Sequence, residues 1–199
     1  MKNTLEKLLK TLTDRDINAL KSIYDFRGLS LSQIYELHYM KSIKNEQGVV
    51  SDNYCRKKMS AFVSAGFLEK VSNGVLELYF LTSPGIDFIK SRFDLPANIY
   101  DPKKQVVKRG YYRASELKIA PKFLNHQYHL NQFMIKFKNM ELDIPYRYYD
   151  EKHISTFRGI RPDGLLNMLD TDFFIEIDMS TESQKQLSEK WDNYRHFLN

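Results

Sequence analysis

Glu176 and Asp178 stand two residues apart in the run Phe173-Phe174-Ile175-Glu176-Ile177-Asp178-Met179. In a strand that spacing sends both side chains to one face. Carboxylates set into an apolar strand are costly unless they are solvated, paired or bound to a cation. Asp163, in Arg161-Pro162-Asp163-Gly164, belongs to the preceding strand and can reach the same patch across a short turn. Lys190, on the following helix, can point back at it. The set Asp163, Glu176 and Lys190, with Asp178 adjacent, would hold one magnesium or manganese through Asp163 and Glu176 while Lys190 orients a water or a phosphate. The same residues equally make a closed polar knot, in which Lys190 pairs with a carboxylate and Arg161 covers another.

A second group is basic. Asn53, Arg56, Lys57 and Lys58 crowd the start of one helical segment, and Lys70 and Asn73 flank the turn after it. Amide and cationic side chains at a helix start suit base edges and phosphates of duplex DNA. The net charge of +5 is unevenly spread: residues 1–92 carry +4, 93–118 carry +3, and 119–199 carry −2. A basic half joined to an acidic, site-bearing half fits a nucleic-acid binder. His126 and His129 lie three apart on one helical face, a spacing open to a metal but read here as structure or DNA contact. Tyr111, Tyr112 and Arg113 could stack on a strand of nucleic acid or pack against a domain. The single cysteine, Cys55, excludes a disulfide framework and a cysteine-rich zinc site, and reads as structural.

Other chemistries drop out. No glycine-rich phosphate loop supports nucleotide hydrolysis, and no paired-histidine motif accompanies the tyrosines. There is no apolar run long enough for a membrane span and no signal-peptide pattern, so the expected location is cytoplasmic.

The elements that must position these groups follow from capping and periodicity. Thr13-Asp14-Arg15-Asp16 opens a helix carrying Ile17, Leu20, Ile23 and Tyr24, closed near Gly28. A short helix follows from Ser30. Ser51 or Asp52 caps a third, Asn53 to Ala65, with Tyr54, Met59, Phe62 and Val63 as its core and Gly66 as its end. Phe67 to Val71 and Val75 to Leu81 form a hairpin about Asn73-Gly74. Thr82-Ser83-Pro84-Gly85 starts a closing helix. Three helices, a hairpin and a helix is the order of a winged helix, the third helix being the one that enters the major groove.

Residues 93–118, with Pro96, Pro102, Gly110, Lys103, Lys104, Lys108 and Arg109, read as a basic linker. Ile119 to Met140 is then a long helix with a broad apolar surface that includes Phe123, Leu124, Leu130 and Phe133. Strands over 143–149, 160–169 and 173–179 and a helix capped by Thr181 complete a second domain on a mostly antiparallel sheet. The fold class is α+β, with a winged helix at 1–92, a linker at 93–118 and a small α/β domain at 119–199.

Pro162-Asp163, a hairpin, then Glu176-Ile177-Asp178 resembles the core of the PD-(D/E)XK nuclease-like fold. Asp178 stands where that fold has its lysine; some members of the fold supply it from the following helix, and the resemblance makes Lys190 the candidate. More of the chain resembles the replication-relaxation family of Gram-positive plasmids and integrative elements. The matching features are Leu81-Thr82-Ser83-Pro84-Gly85, Arg161-Pro162-Asp163-Gly164, the segment from Phe174 to Glu182, and Lys190 followed by Tyr194. The resemblance implies an accessory DNA-binding protein of plasmid or mobile-element replication, relaxation or conjugative transfer. Its partners would be double-stranded DNA at an origin of replication or transfer, a relaxase or replication initiator, and a second copy of the chain. With Asp178 in the lysine position the nuclease-like domain is expected to be non-catalytic. The alternatives are a metal-dependent endonuclease or nickase using Asp163, Glu176 and Lys190, and a transcriptional repressor. A further strand and helix of the usual core would fall beyond Asn199, so the domain is expected to be minimal or truncated.

Overall fold

The structure, a computed structural model, describes residues 6, 8–40, 52–95, 99–101, 106–108, 111–151, 160–179 and 183–198, with 99–101 and 106–108 given by backbone alone. Ser51 and Thr181, expected as caps, and Pro96, Pro102, Lys103, Lys104, Arg109 and Gly110 of the expected linker lie outside the described residues. The chain is mixed α+β and divides into two compact units. Residues 1–95 join 112–136 in the first, and 96–111 join 137–199 in the second.

In the first unit, α1 (Asp14–Asp25) is opened by a reciprocal cap. The Asp16 N–H donates to Thr13 Oγ1 at 3.3 Å, and the Thr13 N–H donates to Asp16 Oδ2 at 3.1 Å. Helix α2 (Leu31–His38) repeats the device with Ser30 and Gln33. Gly28 joins the two at a φ of +98°, and a Cβ there would lie 2.6 Å from the Phe80 ring. Left-handed backbone and close approach both call for glycine at this corner.

Helix α3 (Asn53–Ser64) buries Cys55, Met59 and Phe62. Tyr54, expected in its core, is instead exposed and sets its ring against Tyr39. Strands β1 (Leu68–Ser72) and β2 (Glu77–Leu81) pair antiparallel with Leu68 opposite Leu81 and Ser72 opposite Glu77. Asn73 forms the turn, its Oδ1 accepting from the N–H groups of Val75 and Leu76 at 3.1 and 2.8 Å. Leu29 bridges to Tyr79 on the free side of β2. In α4 (Ser83–Lys90), Thr82 caps the Gly85 N–H and Pro84 sits in the first turn.

After α5 (Ala114–Leu117) and a 3-10 turn (Pro121–Phe123) comes α6 (Leu124–Asn139). The expected linker and second domain divided at 118/119, whereas Tyr112–Lys136 clusters with the first unit. Two kinds of contact hold it there. Ile119 and Leu124 join Val71, Leu78 and Phe80 in one apolar cluster. Amides then satisfy backbone carbonyls left unpaired where α1 ends: Gln127 Nε2 donates to Phe26 O at 3.2 Å and Asn131 Nδ2 to Gly28 O at 2.7 Å. From the other side Gln33 Nε2 donates to Tyr128 O at 2.9 Å. Gln127, Asn131 and Gln33 are all buried. The helix therefore buries Leu124, Gln127, Leu130, Asn131, Met134 and Ile135 and leaves Phe123 and Phe133, expected in the core, exposed. Tyr112 is buried, its ring near Tyr24 and its N–H donating to the Tyr24 hydroxyl at 2.8 Å.

In the second unit, β3 (Ile99–Asp101) and β4 (Val106–Lys108) pair antiparallel inside the expected linker. Strands β5 (Tyr146–Asp150), β6 (Gly164–Met168) and β7 (Thr171–Ile175) make an antiparallel sheet in that order. Leu169 and Asp170, both at positive φ, form the two-residue β6–β7 turn, the backbone form that matches strand twist. Helix α7 (Gln184–Leu198) packs on this sheet. Tyr149, Ile160, Leu165 and Tyr194 form the core, flanked by Phe174 and Phe197. Ser183 opens α7: its N–H donates to Gln186 Oε1 at 2.8 Å while its Oγ accepts from the Gln186 N–H at 3.3 Å.

Candidate functional site

Strand β7 ends at Ile175, so Glu176 and Asp178 lie on the segment leaving the sheet and not within a strand as expected. The cause is Asp163. Its N–H donates to Ile175 O at 3.0 Å, and its Oδ2 accepts from the Ile177 N–H at 2.8 Å. The carboxylate takes over where β6 (Gly164–Met168) stops supplying ladder partners. Asp163 is thus bound to backbone just ahead of β6, Glu176 is half-buried, and Asp178 is exposed.

Helix α7 brings two groups onto Glu176. The Lys190 ammonium lies 2.8 Å from Oε2, and the Tyr194 hydroxyl donates to Oε1. Lys190 and Tyr194 are four apart and share one helical face. Burial pushes the Glu176 carboxyl above the usual carboxylate range; Lys190 and Tyr194 pull it back, and Asp163 adds to the rise. Burial also raises the Tyr194 phenol, and the hydrogen bond to Glu176 raises it further. Lys190, Tyr194 and Glu176 thus form one polar cluster, which both arrangements open to Lys190 allow. Arg161 does not complete it: its guanidinium lies 3.8 Å from Glu151. Tyr194 was legible as a helix residue, and its role as the second partner of Glu176 was signalled only by the four-residue step from Lys190.

Glu176, Lys190 and Tyr194 line a cleft of about 280 Å³, with Ile160, Arg161, Gln186 and Glu189 along its other walls. Among the described residues no three His, Cys, Asp or Glu side chains gather to hold a metal ion. Of the expected metal pair, Asp163 accepts from the Ile177 N–H and Glu176 meets Lys190 and Tyr194, while the charge of Asp163 acts on the Glu176 carboxyl. His126 is half-buried and His129 exposed on α6, and among the described residues no metal cluster includes them.

In the first unit, the solvent side of α3 carries Asn53, Arg56, Lys57, Ser60 and Ser64, all exposed and at helical spacing. The helix contains no acidic residue. Arg56 reaches back to Asp52, at 2.7 Å, which engages it instead of capping the helix. Lys57 is exposed. Lys58 faces the other way: its ammonium lies 3.0 Å from buried Asp16 and donates to Thr11 O at 2.7 Å. It is a packing residue, not part of the outward stripe, because each residue turns about 100° around the helix. Lys70 pairs with Glu77 at 2.8 Å and lies over the Tyr79 ring. Asn73 Nδ2 donates to Asn125 Oδ1 at 3.2 Å.

The model of the replication-relaxation family matches residues 20–199. The chain belongs to that family. No curated protein and no solved structure matches it. The match of the replication-relaxation family begins within α1, takes in the outward face of α3 and the β1–β2 hairpin, and runs through the Glu176 cleft. Membership suggests a role in plasmid or mobile-element replication or relaxation. Among the described residues no helix is long and apolar enough to cross a membrane.

Proposed function

We propose that this replication-relaxation protein is a DNA-binding accessory factor. Its first unit is a winged helix that grips duplex DNA at an origin of replication or transfer, alone or as a dimer, beside a relaxase or initiator. The observation that carries the reading is the outward face of α3. Asn53, Arg56, Lys57, Ser60 and Ser64 are exposed together, opposite buried Cys55, Met59 and Phe62, on a helix without an acid. Amide, hydroxyl and cationic groups on one helical face are the set that contacts base edges and phosphates. The β1–β2 hairpin is the wing, with Asn73 at its tip. Arg56 exchanges Asp52 for phosphate on binding, which an exposed ion pair permits at little cost.

The second unit is a nuclease-like module without catalytic activity. Glu176 already has Lys190 and Tyr194 as partners, and Asp163 spends its carboxylate on the Ile177 N–H. One observation favours the other reading, a metal-dependent nickase: a lysine stands 2.8 Å from a half-buried carboxylate, as a water-orienting lysine would. Magnesium or manganese would then sit on Asp163 and Glu176.

The test is duplex binding by fluorescence anisotropy against salt. Arg56→Ala with Lys57→Ala should weaken binding and reduce the slope of log affinity on log salt by about 0.9 for each phosphate no longer neutralised. Unchanged affinity in the double variant at low salt would remove α3 from the interface. Supercoiled plasmid incubated with manganese should stay intact. Nicking abolished by Asp163→Ala and by Glu176→Ala would establish the nickase instead.

A further inference from the structure

Helix α6 turns one face largely to solvent. Leu124, Gln127, Leu130, Asn131, Met134 and Ile135 are buried, while Asn125, His129 and Lys136 are exposed at helical spacing, with Lys122 exposed in the turn before them. From Asn125 to Lys136 this row rises about 16 Å along the axis. Between Glu116 and Glu141 the chain has no acidic residue and carries Lys118, Lys122, Lys136 and Lys138. The Lys122 ammonium lies over the Phe123 ring, 4.7 Å from its centroid, an arrangement that keeps the charge at the surface.

The row starts at the wing. Asn125, in the first turn of α6, accepts the hydrogen bond from Asn73 at the tip of the β1–β2 hairpin. Ile119 and Leu124 pack under that hairpin with Val71 and Leu78, so tip and row belong to one rigid surface. The acids of the hairpin are neutralised by lysines: Glu69 by Lys118 at 2.7 Å and Glu77 by Lys70 at 2.8 Å. Gln132 falls within the row, half-buried, and donates through Nε2 to Glu36 Oε2 at 3.1 Å, so one acid stands beside the row.

We propose that Lys122, Asn125, His129 and Lys136 form a second phosphate-contacting surface, which prolongs the wing along the backbone of the same duplex. The occupant is duplex DNA because the row is cationic and amide-bearing, free of acids along the helix, and continuous with the wing tip. Phosphate contacts of this kind fix register and add affinity without reading sequence. The inference rests on the DNA-binding reading above.

The experiment uses the full chain and a labelled mixed-sequence duplex of about 30 base pairs, three helical turns. Lys122→Ala with Lys136→Ala should lower affinity and reduce the salt slope by about 0.9 for each phosphate released from its lysine. Lys122→Glu with Lys136→Glu should lower affinity further. All four side chains are exposed, and thermal melting at the parent temperature shows that the variants fold. The α6 variants matching the parent in affinity and slope, while Arg56→Ala with Lys57→Ala weakens binding, would overturn this proposal and leave the α3 reading standing. A parent that binds no duplex would overturn both. Variants that keep the parent slope but change the sedimentation of the free protein would make this face a protein contact and overturn the proposal.

Discussion

Replacing Lys58 with methionine keeps the length of the side chain and removes its charge. In the parent, Nζ lies 3.0 Å from Asp16 Oδ2, with the two side chains 12% and 0% exposed. At an effective dielectric constant of 20 that separation corresponds to a gross attraction of about 5 kcal/mol. Removing one partner of a buried pair leaves the other charge uncompensated, at a cost of about 3–5 kcal/mol. Asp16 retains two donors after the substitution, the Tyr39 hydroxyl at 2.8 Å and the Thr13 N–H at 3.1 Å. These hold the expected loss to the lower end, about 3 kcal/mol. Urea unfolding followed by far-ultraviolet circular dichroism reads it as a fall in midpoint at constant slope.

The pH dependence has a definite sign. Burial pushes the Asp16 carboxyl up, but hydrogen bonds from Tyr39, Lys58 and Thr13 and the charge of Lys58 outweigh it, so its native value lies below the usual one. A lowered carboxyl stabilises the fold above its unfolded value, about pH 4, and that share is lost as pH falls through the native value. Asp16→Asn should therefore be less stable than the parent at neutral pH and lose less on acidification. Because the Lys58 ammonium faces Asp16, Lys58→Met should also keep the parent salt slope for duplex DNA. A loss under about 1 kcal/mol, against the 3–5 expected for a broken buried pair, would refute the role given to this pair, as would an Asp16→Asn profile parallel to the parent.

Gly85→Ala places a Cβ 2.2 Å from the Phe67 carbonyl oxygen and 2.9 Å from Leu81 Cδ2, so the start of α4 must shift. The expected cost is about 3 kcal/mol, and an unchanged melting temperature would contradict it. The Cys55 thiol is buried and pushed up to about 12, chiefly by that burial; Ellman's reagent should react with it only after unfolding, and Cys55→Ser should leave duplex affinity within a few-fold. Glu176 has the opposite sign to Asp16. Its raised carboxyl favours the fold below the unfolded value, about pH 4, and loses that contribution as pH rises through the native one. Glu176→Gln should flatten this part of the stability profile, and a profile unchanged between pH 4 and 7 would refute it.

What could be read without coordinates was local. Thr13 with Asp16 and Thr82 with Gly85 are capping patterns contained in four residues, and Asn73-Gly74 is a turn contained in two. Each folds as its own chemistry dictates. The misplaced parts depend on partners far along the chain. Gln127 and Asn131 look like surface residues until the Phe26 and Gly28 carbonyls, about a hundred positions away, are brought beside them. Their burial turns α6 so that Phe123 and Phe133 face outward. The end of β7 likewise depends on Asp163 taking the Ile177 N–H at the open end of the β6–β7 hairpin, which no alternation of apolar residues records.

The basic run Arg56-Lys57-Lys58 is a different case, because the information was present. Successive residues on a helix point about 100° apart, so three adjacent cations cannot share one face. Arg56 and Lys57 fall in line with exposed Asn53, Ser60 and Ser64, whereas Lys58 falls toward the side that buries Cys55, Met59 and Phe62. The acid that receives it is Asp16. The consequence reaches function. The cation at 58 sets α3 against α1 and the cations at 56 and 57 face the solvent where DNA is proposed to lie, so the same alanine substitution is a stability mutation at one position and an affinity mutation at its neighbour.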